Sequence, residues 1–208
     1  MKKLALTIVA ATFALCSFGW AGQGVFKTKD KEDEPKTPLT IEIKSLKVSY
    51  KLDLGGKTGK EYLEMLDKRS KEGGDMPKPP TVDFEITIKN TGKAKVEFWA
   101  SGDPVLLELE IKGPGARTLP SNLAFTTIFI MPKLMPLEPD KTHKISLKSL
   151  QSGTRGAGTY HYWAEPGEYT IVARYHTGIS PAPKGSEVEK GVGKVTLTSL
   201  PMKVKVEK

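Results

Sequence analysis

The chain has 208 residues, with 32 Lys and Arg against 24 Asp and Glu and a single cysteine. One cysteine excludes a disulfide framework or a Cys-ligated metal cluster, so stability must come from an apolar core. The charges alternate in sign, as in "KTKDKEDEPK", without a concentrated basic stripe, which argues against nucleic acid as a partner.

Lys2 and Lys3 precede an uncharged, mostly apolar run from Leu4 to Leu15 and then Gly19-Trp20-Ala21. This is the pattern of a secretory signal peptide over residues 1–21, cut after Ala21, so the chain is expected to be exported to the periplasm or beyond. Cys16 ends the apolar run, but Leu15 stands where a lipid-anchor signal carries a small residue, and cleavage to a soluble chain is the expected outcome. No later stretch approaches the roughly 20 apolar residues of a membrane-spanning helix. Cleavage removes the cysteine and leaves 30 basic against 24 acidic residues, a net charge of +6 that favours weak attraction to anionic cell-surface polymers. Residues 22–39 are polar, charged and nearly free of aromatics, and read as a flexible linker. Residues 40–208 are long enough for one domain with an ordinary core.

In "TIEIKSLKVSYKL", Ile41 and Ile43 hold one phase of alternation and Leu46, Val48, Tyr50 and Leu52 the other. A phase change inside such a run means a bulge or a strand that switches partner. Thr58 followed by Glu61 is a capping-box pattern, and Tyr62, Met65, Leu66 and Arg69 recur at helical spacing before Gly73-Gly74. A short helix is expected there, joined by the extended "MPKPPT" to the next strand. From "VDFEITI" onward, "KVEFWA", "VLLELEIK", "HKISLK", "YTIVARY" and "KVTLTSLPMKVKV" alternate at strand period, with turns at "NTG" and "GPGA". The last run changes phase across Pro201, where a strand should lie at an edge or break.

The stretches "FEITIKNTGKAKVEF", "LLELEIKGPGA" and "PGEYTIVA" resemble the secreted immunoglobulin-like β-sandwich proteins of bacteria and, more distantly, the intracellular-proteinase-inhibitor-type domain, over Thr81 to Val206. The resemblance implies an all-β, immunoglobulin-like antiparallel sandwich, here with a short helix inserted after the first strand. It also implies a structural corner at Gly167 and Tyr169, the tyrosine hydroxyl bonding back to nearby backbone and Ile171 standing where such domains carry a cysteine. Such sandwiches host many unrelated roles, so the motifs speak for the fold and not for the function.

The stretch "TYHYW" permits two readings. Neighbours in an extended chain face opposite sides, so some of Tyr160, His161 and Tyr162 should reach the surface; with Arg155 they form the expected contact surface. In the other reading Trp163 and one tyrosine cap the core, the rest packing under "GTRGAG", with Arg155 bonded to loop carbonyls. "GGKTGK" lacks the upstream glycine of a phosphate-binding loop, and "GISPA" lacks both the final glycine and the strand-to-helix setting of a serine nucleophile. The three histidines are scattered, Met131, Met135 and His143 make only a poor copper set, and no carboxylate pair stands out. No catalytic residue, cofactor or metal is therefore expected. The function expected is non-catalytic binding of a protein or cell-surface polysaccharide by loops at one end of the sandwich. The alternatives are a proteinase inhibitor using "SPAPKGSEVEKG" as bait and a structural envelope protein with no small-molecule site.

Overall fold

A computed structural model of the chain describes residues 35–121, 129–154, 157–189 and 191–208. The expected signal peptide, most of the linker and Arg155 lie outside them. The described residues, in order, form β1 (Leu39–Ser45), β2 (Ser49–Lys51), α1 (Gly59–Glu72), β3 (Thr81–Asn90), β4 (Val96–Ser101), β5 (Leu106–Lys112) and β6 (Arg117–Pro120). There follow β7 (Lys133–Leu137), β8 (Thr142–Ser149), β9 (Gln151–Thr154), β10 (Ala157–Tyr162), β11 (Gly167–Ser180), β12 (Val188–Glu189), β13 (Val192–Thr198) and β14 (Met202–Glu207).

Strand-period burial builds the main core. In β3, Val82, Phe84, Ile86 and Ile88 are at most 1% exposed, and the strand pairs antiparallel with β1 on one side and β8 on the other. The larger sheet is organised around β11, whose inward residues Tyr169, Ile171, Ala173 and Tyr175 alternate with Thr170, Val172 and Arg174. One side of β11 pairs with β14 and then β13; the other pairs with β5 and, at Ile179 and Ser180, with β4. The inner faces of the two sheets bury one continuous cluster. At roughly 25 cal/mol per Å² of apolar surface removed from water, this face-to-face burial is the main term holding a cysteine-poor domain together. The described residues are thus mostly antiparallel β with one helix.

Both phase changes mark physical events. After Ser45 the chain leaves the first sheet, and β2 joins the second by pairing parallel with β14. Tyr50 turns inward at 5% exposure, whereas Leu46 and Val48, expected to share its face, are 53% and 96% exposed because they sit in the crossing. At the other end, Tyr175 opposes Leu197 but Ile171 opposes Met202, so the partner side holds one residue more. Leu200-Pro201 is that bulge, and the buried Ser199 Oγ accepts from the Ala173 N–H at 2.9 Å beside it. The strand breaks at Pro201 as expected, but its halves do not form the outermost edges, since β12 and β2 flank them.

Thr58 and Glu61 close the capping box: the Thr58 hydroxyl accepts from the Glu61 N–H, and the Glu61 carboxylate accepts from the Thr58 N–H at 2.9 Å. Gly73, at φ 72°, ends the helix in the left-handed conformation. One face of α1 covers a third sheet, of order β6-β10-β9, that the sequence did not disclose. Tyr62 and Leu66 of the helix form with Tyr162 and Ala164 a second apolar cluster.

Candidate functional site

The third sheet decides the fate of "TYHYW". Its strand β10 has α1 against the face that carries Tyr160 and Tyr162, so Tyr162 is fully buried and its hydroxyl donates to the Pro77 carbonyl at 2.8 Å. The opposite face is also covered, and His161 is 1% exposed. The imidazole sits between Ser152 Oγ at 2.8 Å from Nε2 and Thr118 Oγ1 at 3.0 Å from Nδ1. Burial pushes its pKa down to about 4, so the ring is neutral near pH 7. His161 and Tyr162 therefore cannot supply the expected contact surface, and Tyr160 is half-buried with its ring 6.4 Å from that of Tyr162. Alternation did place neighbours on opposite faces, but both faces are packed. Trp163, 2% exposed, belongs to the main core between Tyr50 and Tyr169, each 5.7 Å away between ring centroids.

Tyr169 is fully buried, and its hydroxyl donates to the carbonyls of Glu165, at 2.7 Å, and of Pro114. Gly167 opens β11 opposite Val206, and a Cβ there would lie 2.9 Å from Pro114 Cγ. Both residues tie the approach of β11 to the β5–β6 turn.

At the same end of the sandwich, β2, the first turns of α1 and the "MPKPPT" segment enclose a cleft of about 480 Å³. This is within the range of small-molecule sites. Each wall is fixed from behind. The Tyr50 hydroxyl bonds Ser45 Oγ at 2.8 Å and the Asp83 backbone at 3.2 Å, holding β2. Pro77 is held by Tyr162 and the Pro80 carbonyl accepts from the Leu150 N–H at 2.9 Å, so Lys78 and Pro79 are presented between two anchors. Such a cleft is preformed.

Lys47, Ser49, Lys51 and Asp53, in and beside β2, line the cleft on one side, and Lys78 lines it from the "MPKPPT" segment. The lining thus carries three exposed lysines and one aspartate, and Asp53 already accepts the Gly55 N–H at 3.0 Å. Among the described residues none of these lysines has an ion-pair partner; Lys47 lies 5.9 Å from the Tyr50 ring centroid. The lysines on the outer face of the first sheet behave differently. Lys44 and Lys144 bind Glu85, Lys148 binds Asp83 and Lys89 binds Asp140. The Tyr62 hydroxyl is also without a hydrogen-bond partner among the described residues, and burial, with the Asp53 charge adding to it, raises its pKa and keeps it a donor.

Two other hollows are less suited. The larger, about 690 Å³ along β14, is shallower, and its Lys203 and Lys205 already bind Glu168 and Glu207. Another, of about 370 Å³, borders His176, which bridges Glu108 at 3.0 Å and Thr196 at 2.9 Å across three strands. That carboxylate–imidazole–hydroxyl chain lies on the open face of the sheet, with Glu108 47% exposed, and each of its polar groups is already partnered within it. Met131 is 73% exposed whereas Met135 packs against the core, so those two do not converge.

No family model matches the chain, and no curated protein was found to match it.

Proposed function

We propose that the protein is an exported, non-catalytic binding module of immunoglobulin-like type, and that its ligand contact is the cleft between β2, α1 and Lys78–Thr81 rather than the "TYHYW" stretch. The observation that carries this reading is the preformed cleft of about 480 Å³ whose three lysines have no ion-pair partner, and whose Tyr62 hydroxyl has no hydrogen-bond partner, among the described residues. The buried corner of Tyr169 and the two packed sheets support the immunoglobulin-like assignment. The bait-loop reading has less support, since Pro183 and Ser186 close a tight turn in which both the Ser186 N–H, at 3.1 Å, and its hydroxyl, at 2.7 Å, donate to the Pro183 carbonyl.

The test is backbone-amide NMR of residues 22–208 while soluble cell-envelope polysaccharide and peptide fragments are added. Saturable shifts should cluster at residues 47–53, 62 and 78–81, and should vanish in Thr81→Phe, which fills the cleft from an exposed position. Shifts confined to other loops, or unchanged in that variant, would refute the assignment.

A further inference from the structure

We infer that the cleft selects a carboxylate-bearing saccharide, an inference that rests on the binding-module reading and narrows it to a ligand class. Lys47, Lys51 and Lys78 against Asp53 leave a net charge of +2 among the lining residues, whereas the lysines beside the hollow along β14 are paired locally. An anionic ligand completes that balance, and walls of low polarisability behind the lysines strengthen the attraction over that on an open surface.

The size of the cleft suits an organic acid better than a bare anion. A water occupies about 30 Å³ in the liquid, so a small inorganic ion fills only a minor part of 480 Å³. Of the lining residues, all but Pro79 and Pro80 carry a polar side-chain atom. The unpaired Tyr62 hydroxyl and the exposed Thr81 suit a ligand with several hydroxyl groups, while the two proline rings offer flat apolar faces to a sugar ring.

A peptide fits less well. Binding by strand addition uses a run of successive backbone groups, and β2 is only three residues long. Protein partners are anchored by apolar side chains in dry pockets, but Tyr50, Tyr62 and Trp163 are each at most 8% exposed and leave no such pocket open.

The experiment is calorimetric titration of residues 22–208 with a galacturonic acid trisaccharide, its methyl ester, polygalacturonate and inorganic phosphate. The acid should bind, more weakly as salt rises, and the ester at least tenfold more weakly than the acid. Lys51→Gln with Lys78→Gln should lower affinity about tenfold, in line with the loss of two charge contacts. Lys93→Gln with Lys95→Gln, on the distant β3–β4 turn, removes the same charge and should change nothing. Trisaccharide binding alone points to a free acid; tighter binding of the polymer per site points to a chain segment, and both outcomes agree with the inference. Ester binding equal to acid binding, lost in Thr81→Phe, would overturn the acid preference and leave the binding module standing. Equal weakening by the two lysine pairs, displacement of the acid by equimolar phosphate, or no binding of the acid would each overturn the inference.

Discussion

The Tyr169 hydroxyl is the bond that fixes the approach of β11, because it donates to carbonyls on both the β5–β6 turn and the segment just before β11. Tyr169→Phe keeps the ring in the core and removes only the donor. The carbonyls of Glu165 and Pro114, both on exposed residues, then lose that donor, at the net cost of a hydrogen bond, about 0.5–1.5 kcal/mol. The urea midpoint should fall accordingly with an unchanged slope; a midpoint equal to that of the parent would show that the hydroxyl holds nothing. The same ring explains Gly113. A Cβ there would approach Tyr169 Cγ to 2.7 Å, so Gly113→Ala should be destabilising by about 1–3 kcal/mol, the range for overpacking, and its effect should shrink in the Tyr169→Leu background.

Among elements, α1 is the one whose ends are both specified by side chain or glycine chemistry. Thr58→Ala removes the acceptor for the Glu61 N–H and should cost about 1 kcal/mol, lowering the melting temperature by about 2–4 °C for a domain of this size. Thr58→Ser should restore it; a deficit equal to that of alanine would exclude the cap as the cause. The helix and the long strands were legible in the sequence because capping residues and alternation are local signals. The sheet β6-β10-β9 was not, since its strands are only four to six residues long, and although β9 and β10 form a local hairpin, β6 pairs with β10 from about 40 residues away. Missing that sheet also misplaced the candidate site: alternation implied an exposed face for Tyr160, His161 and Tyr162, and only the sheet with its covering helix shows that there is none. The cleft draws on four separate segments, which no local pattern joins. Its one sequence signal was Lys47-Ser49-Lys51-Asp53, four polar residues in phase opposite an inward Tyr50.

At the scale of the whole molecule, the same buried imidazole ties stability to pH. In the unfolded chain His161 takes up a proton near pH 6.5, but in the folded chain burial holds its pKa at about 4. The unfolded state therefore binds more protons between those values, and stability falls as pH drops through that window. The full shift corresponds to about 3 kcal/mol, at roughly 1.4 kcal/mol per pH unit. Burial also lowers His143, which adds to the fall with the same sign. Glu85 is held low by hydrogen bonds from Lys44 and Lys144, and Glu110 by Lys112 and Arg174, so their protonation removes further stability at lower pH. Chemical denaturation at several pH values should thus give a stability that is flat between about pH 7 and 9 and declines from pH 6.5 towards 4. His161→Gln can still hydrogen-bond one of Ser152 and Thr118 but does not titrate. Whatever its overall stability, its curve should be flatter across that window, retaining the smaller His143 contribution. A decline as steep as that of the parent would assign the proton uptake to other groups and remove His161 from the account, whereas a flattened curve would confirm that the covered strand β10 confers acid sensitivity on the domain.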